Sequence, residues 1–337
     1  RHIWTKEPLC MVTRENDSEW SSYVDAILQG LMAAAEMGVT QSTASSFPKS
    51  VWHIRDFDSM YADAVASVGN YLELYSTNIR SAGLAKRMNA INSGTGMLYA
   101  LPHGYPEQEG PRPAEGSKLN AIQVAQKLRC GMMTNQTSLG EGFCLAIAAG
   151  IFSDVPDARV EWVWYEAHEE LLLAVSNGEV DVAMDVPVSA EAAFQYDITF
   201  SSPYFFPYDE EDGGVSLDGN GQQALELPDH DRAVGLAASN SDRQFAKFCF
   251  WIMTAPVISE EDELPFNDMV LVGLFGSSYK RMFRDAVLFV GDYSRIYESY
   301  EILVGPRRGR NFINLLETRG PQHLPLLFGS NVTSLVW

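Results

Sequence analysis

Positive charge is scarce in this chain. Its 337 residues carry 24 Lys and Arg against 44 Asp and Glu, a formal net charge of −20. So acidic a surface repels polyphosphates and anionic bilayers, so no nucleic acid is expected as a partner, and no membrane surface. Long apolar runs are also missing. The best candidates, residues 248–253 and 270–275, fall far short of the roughly 20 residues that cross a bilayer, so no membrane span is expected. Cysteine is sparse: Cys10, Cys130, Cys144 and Cys249 are too few and too scattered for a disulfide scaffold. No two stand at CxxC spacing, which argues against a zinc site.

The signatures of common catalysts are absent too. There is no GxSxG elbow, no phosphate-cradling P-loop and no HExxH helix, and the six histidines are scattered. Gly219-Asn220-Gly221 lacks both the third glycine and the strand-turn-helix setting of a dinucleotide site. His168-Glu169-Glu170 opens a helix, where acids favour the N-terminus through the dipole; capping explains it better than catalysis. Neither a catalytic residue, a metal site nor a cofactor is therefore expected.

What is present centres on residues 128–206. An apolar strand, Leu128 to Met133, leads through a polar turn to a small-residue helix, Phe143 to Phe152. A strand from Val160 to Trp164, a helix from His168 to Ser176 and a strand from Val180 to Met184 follow. The apolar period switches between strand and helix twice, a βαβαβ pattern that predicts a parallel sheet covered by helices. Cys130 and Cys144 fall in the first strand and helix; burial as small apolar residues is the expectation, with a disulfide the alternative. Trp162 and Trp164 alternate along their strand, so aromatic packing should cover at least one face of it.

The flanks are helical. Asp17 or Ser18 should cap a helix from Glu19 to Met37 with Trp20, Val24, Ile27, Leu28, Leu31 and Met32 on its apolar face. Residues 40–50 read as a Ser/Thr-rich loop, Phe57 to Asn78 as a second helix, and Leu84 to Ile91 as a short third. A Pro/Gly-rich linker spans 105–116. Self-comparison then finds a repeat. Asp63-Ala64-Val65, Val68-Gly69-Asn70-Tyr71 and Tyr75 recur as Asp285-Ala286-Val287, Val290-Gly291-Asp292-Tyr293 and Tyr297. Upstream, Trp20 matches Phe245; downstream, Asn89-Ala90-Ile91 matches Asn314-Leu315-Leu316. Order and spacing hold over about a hundred residues, so 1–104 resembles 226–329.

Together these segments resemble the general L-amino-acid periplasmic binding proteins of ABC transporters. The resemblance is carried by Ser117 to Gly131, by Phe143-Cys144 through Asp154, by Ser176-Asn177-Gly178-Glu179-Val180-Asp181-Val182, by the paired Val-Gly-Asn/Asp-Tyr helices and by Thr5-Lys6-Glu7-Pro8-Leu9. It implies an α/β chain: a type 2 periplasmic-binding-protein-like lobe, a mostly parallel sheet with flanking helices, preceded by a mainly helical half-copy of the same unit. The domains expected are the half-copy over 1–104, a linker over 105–116, the α/β domain over 117–329 and a tail over 330–337. Loop 207–226 stands where the second lobe should be and is too short for one. Its acids, Asp209 to Asp212 and Asp218, fit a solvated linker better than a calcium loop.

Where the chain departs from the family, the ligand grip is affected. The loop after the first strand shrinks to Gly131–Gly142 and keeps no aromatic residue. The Arg that pairs with a ligand carboxylate in the family is matched by Ala192, with Asp185 and Glu191 nearby and no cation between Arg159 and Arg232. No ligand-binding residues are expected, nor a small-molecule ligand. The resulting expectation is a non-enzymatic, degenerate module acting as a structural or assembly subunit. A protein partner should cover helices 19–37 and 57–78, an upstream product of the same precursor being one candidate. The rival is a working amino-acid receptor for uptake or sensing, with Arg14, Lys49 or Arg55 replacing the lost Arg. Sequons at Asn16, Asn135 and Asn331 mark possible glycosylation and lean toward a secretory route. Arg1 reads as a processing or fragment boundary.

Overall fold

A computed structural model describes residues 10–14, 17–47, 59–79, 113, 115–134, 139–205, 234–261, 263–269, 271, 273, 275–304 and 307. Within it a five-stranded sheet runs in the order β2-β1-β3-β5-β4. The strands are β1 (Leu128–Met133), β2 (Val160–Tyr165), β3 (Val182–Pro187), β4 (Ile198–Phe200) and β5 (Val234–Ser239). β1 pairs in parallel with β2 and with β3, whereas β5 is antiparallel to both β3 and β4. Four strands thus point one way and β5 against them, a mixed sheet in which the expected parallel core survives.

The flanking helices, in chain order, are α1 (Ser18–Glu36), α2 (Met60–Val68), α3 (Tyr71–Asn78), α4 (Lys118–Ala125), α5 (Leu139–Phe152), α6 (His168–Ser176) and α7 (Ala190–Gln195). After β5 come α8 (Arg243–Glu261), α9 (Met282–Val290) and α10 (Tyr293–Val304). One sheet face presents Leu128, Cys130, Met132, Val182, Met184, Leu236 and Ala238 to α5 and α8–α10. The other presents Ala183, Val186, Ile198 and Ala237 to α6. Strand alternation makes this division, and because both faces are covered the strands read as continuous apolar runs. Gly131 has to be glycine here: a Cβ would drive into the Leu171 side chain and come within 3.2 Å of Val180.

Asp181 fixes the amino end of the sheet. It is 3% exposed, accepts from the backbone N–H of Arg129 at 2.8 Å, and pairs with Arg129 at 2.7 Å and Lys118 at 3.1 Å. That arrangement moves the third strand. Expected over Val180–Met184, it runs from Val182 to Pro187, with Asp181 just before it joined to Arg129 both by its side chain and by its backbone N–H, which donates to the Arg129 carbonyl at 2.9 Å.

Other expectations are corrected as well. Residues 41–46 form a 3₁₀ helix rather than loop, closed by a Thr40–Thr43 capping box. The helix expected from Phe57 to Asn78 breaks into α2 and α3 at Gly69, whose φ of +83° suits a residue without Cβ. The small-residue helix starts at Leu139, four residues before Phe143, which shortens the β1–α5 turn further. Cys130 and Cys144 are joined in a disulfide, not buried as thiols. A Cα separation of 6.6 Å between strand and overlying helix lies within bridging range. Trp20, on the apolar face of α1, is 53% exposed. Trp162 is half-buried against the core but Trp164 is 46% exposed, because β2 is an edge strand with a neighbour on one side only. The region of 1–9, the helix near 84–91 and most of the linker lie outside the described residues.

α1 and α2, with residues 39–47 between them, have a small core of their own, built on Ala33, Ala34, Phe47, Met60, Tyr61 and Val65, while α3 and α7 lie beside α1. The same local devices occur in α1–α3 and α8–α10. α1 and α8 are both 19 residues long. Asp17 accepts from the Trp20 N–H at 2.9 Å, and Asp242 accepts from the Phe245 N–H at 2.9 Å. Gly291, with φ of +85°, separates α9 from α10 as Gly69 separates α2 from α3. Asn70 then caps α3 through the Glu73 N–H, and Asp292 accepts from the Arg295 N–H at the start of α10.

Candidate functional site

In an open α/β sheet, ligands sit outside the carboxyl ends of the strands where strand order reverses. Here the chain moves from β1 to β2 on one side and then crosses to β3 on the other, so the reversal lies between β1 and β3. The N-terminus of α5 opens at that point, its free N–H groups favouring an anion.

That place is taken by the protein's own Asp185. The residue is 5% exposed, near the carboxyl end of β3, and adopts a φ of +55°, uncommon for a residue with a Cβ. Its Oδ1 accepts from the Gly140 N–H at 3.2 Å and from the Tyr204 hydroxyl at 2.8 Å. Its backbone N–H donates to the same hydroxyl at 2.7 Å. Glycine at 140 is required because a Cβ there would overlap the Asp185 carboxylate. Tyr204 is wholly buried, and its carbonyl accepts from the Tyr293 hydroxyl at 2.7 Å. Burial, and then the neighbouring Asp185, push the Tyr204 phenol well above its usual value, so it stays a neutral donor.

Two more groups close the picture. Ala192 lies in α7 and is 3% exposed; its N–H donates to Oγ of Ser189, which caps that helix. Tyr300 donates to Glu141 in the first turn of α5 at 3.3 Å, and burial with that carboxylate raises its phenol. The site can therefore hold a carboxylate of its own against the α5 N-terminus. A second carboxylate brought to about 4 Å from Asp185 would meet a repulsion of about 4 kcal/mol at an effective dielectric of about 20.

Asp185 was visible in the sequence as an acid in the wrong place for a carboxylate ligand. Tyr204 was not singled out, and Tyr293 entered only through the repeat. The available signal was a tyrosine inside an apolar segment, which needs a hydroxyl partner once buried. Among the rival cations, Arg14 precedes α1, while Lys49 and Arg55 lie outside the described residues, as do Asn16, Asn135, Asn331 and loop 207–226. Glu169 and Glu170 do occupy the first turn of α6, but no side chain caps it, so they act through the dipole alone. Among the described residues no group of three or more His, Cys, Asp or Glu could hold a metal ion, and no helix is long and apolar enough to cross a membrane.

No protein-family model matches the chain. Over 119 residues it is 31% identical to the glutamate/glutamine/aspartate/asparagine-binding protein BztA of Rhodobacter capsulatus. The likeness supports a distant relationship to the amino-acid solute-binding proteins. That match covers 30% of this chain and 35% of the relative's length. Two solved structures are similar at low score. One is domain 1 from TmArgBP in its arginine-bound form, with a TM-score of 0.28 and 14% identity, covering 40% of this chain and 95% of that one. The other is the ancestral amino acid-binding protein AncCDT-1, a precursor of cyclohexadienyl dehydratase, with a TM-score of 0.33 and 13% identity, covering 55% and 99%. At such scores the type 2 binding-protein-like fold rests on the mixed sheet and its flanking helices.

Proposed function

We propose that this chain is a non-enzymatic, degenerate solute-binding-protein-like module that serves as a structural or assembly subunit in a protein complex. One observation carries the reading. The α5 N-terminus at the strand-order reversal, where an anionic ligand group would be held, is filled by the buried Asp185 carboxylate and locked by Tyr204. The buried Ala192, where the family's carboxylate-pairing Arg would stand, points the same way. The antiparallel bridge between Phe205 and Val234 adds to it: the two residues pair directly, and the sequence between them is too short for a second α/β lobe. A secretory route is part of the proposal, supported by the disulfide, which persists in oxidising compartments.

A second reading is favoured by one finding, the identity to a protein named for binding glutamate, glutamine, aspartate and asparagine. On it the chain is a working amino-acid receptor. A thermal-shift panel of the twenty L-amino acids at millimolar concentration separates the two. A ligand present at about 100 times its dissociation constant adds about 2.7 kcal/mol. The subunit reading expects no shift from any amino acid, and one clear stabilisation overturns it.

A further inference from the structure

Among the described residues the two matched helical sets are covered differently, and the difference shows what the first set lacks there. Residues that join the helices of a set to one another are buried in both. Tyr61 and Val65 in α2 match Phe283 and Val287 in α9, and all four are buried. Gly30 of α1 receives the Tyr61 ring, with Ala255 of α8 as its small counterpart.

Residues at the other matched positions behave otherwise. Phe245, Cys249, Ile252 and Met253 of α8 are buried, but Trp20, Val24, Ile27 and Leu28 of α1 are exposed or half-exposed, Ile27 meeting the α1–α2 core with part of its surface only. Ile296 of α10 is 2% exposed, while its counterpart Leu74 in α3 is only half-buried. The cover of the C-terminal set is identifiable. Ile252 fills the space that a Cβ at Gly150 would need, and Ile296 lies 2.7 Å from where a Cβ at Gly142 would stand. α5 is therefore a helix notched by glycines eight residues apart, and the two isoleucines fit the notches.

We infer that the face of α1–α3 carrying Trp20, Val24, Ile27 and Leu74 docks a second α5-like helix, with glycine notches eight residues apart, presented by a partner α/β half-unit. Ile27 and Leu74 stand where Ile252 and Ile296 engage α5, so they are the side chains that enter those notches. The chain's own α5 is not the occupant, because α8–α10 already cover it. The inference rests on the assembly-subunit reading and gives the partner its chemistry.

The test uses the full chain and a fluorescein-labelled synthetic peptide of residues 139–152, with Cys144→Ser and a lysine tail for solubility. Fluorescence anisotropy should report saturable binding. A peptide with both notches filled, Gly142→Leu and Gly150→Leu, should bind at least ten-fold more weakly to the unaltered chain. Ile27→Asp and Leu74→Asp chains, checked for retained helicity by circular dichroism, should each show a comparable loss. No binding, or binding indifferent to the filled notches, overturns the inference. If the peptide fails while the amino-acid panel is silent, only the occupant is wrong; if an amino acid binds, the subunit reading itself falls.

Discussion

Replacing Tyr204 by Phe removes one oxygen atom from the centre of the buried network. That oxygen accepts from the Asp185 backbone N–H and donates to the Asp185 carboxylate. Both partners are buried, so neither finds water in compensation. A buried group left unsatisfied costs about 1–3 kcal/mol, more where it is charged. The carboxylate keeps the Gly140 N–H, which limits its share, and the phenol's own desolvation no longer has to be offset. The net loss should be about 3 kcal/mol. In a domain of this size that corresponds to a midpoint lowered by about 6–12 °C. Tyr293→Phe gives the internal comparison. Its hydroxyl donates a single bond, to the Tyr204 carbonyl, and its removal should cost about 1 kcal/mol. Urea unfolding of the three proteins, with calorimetry alongside, measures both differences. A Tyr204→Phe loss below about 0.5 kcal/mol at unchanged m, or one smaller than that of Tyr293→Phe, refutes the account of a locked carboxylate.

Reduction of the disulfide should also destabilise the protein. Cys130 and Cys144 are 14 residues apart, and closing a loop of that length in the unfolded chain is worth about 3 kcal/mol. Thermal unfolding with and without a phosphine reductant should show a lower midpoint in the reduced sample, whereas equal midpoints would count against a bridge. Alkaline pH acts through groups whose folded-state values lie above their unfolded ones. Burial raises the Cys249 thiol and the Tyr204 phenol, so the fold favours their neutral forms. Their contribution is complete below the unfolded values, near 8.5–9 and 10, and falls by up to about 1.4 kcal/mol per pH unit per group above them. Cys249→Ser should flatten the stability profile between about pH 9 and pH 10 and leave the steeper fall above pH 10 in place. A profile unchanged by that substitution would mean that Cys249 already titrates freely in the folded state.

Much of the α/β unit was legible because its period is local. β1 and α6 begin and end where the apolar pattern places them, since strand alternation and helical spacing need only a few residues to declare themselves. What failed was decided by distant partners. The start of β3 depends on Asp181 reaching Arg129 and Lys118, residues far upstream. The Phe57–Asn78 pattern continues across Gly69 at helical spacing, so only the backbone reveals the break, even though the same Val-Gly pair ends α9. The disulfide carries no motif, because a separation of 14 residues says nothing until a helix folds over its strand. The site divides likewise. Asp185 and Ala192 could be found by matching positions along the chain. Tyr204 could not, because its hydroxyl meets Asp185 only after the segment beyond β4 has come back against the carboxyl end of β3.

Binding a small ligand and docking a partner helix place opposite demands on one chain. A cleft must keep unsatisfied donors open to water until the ligand arrives, at some cost to the empty protein. In this chain one donor at the α5 N-terminus is already engaged: the Gly140 N–H holds Asp185, Tyr204 locks it, and Tyr293 holds Tyr204 in turn. Each link is buried, so opening the site would expose several polar groups together rather than one. The α1–α3 set is built in the reverse sense. Its polar end groups are capped by Asp17 and Asn70, and what it leaves incompletely covered is apolar: Trp20, Val24, Ile27 and Leu74. Apolar side chains left at a surface gain free energy from any surface that matches their shape, in proportion to the area removed from water. On the proposed reading the capacity for recognition has moved from the carboxyl end of the sheet to a helical face, and what is recognised has changed from an anion to a notched helix.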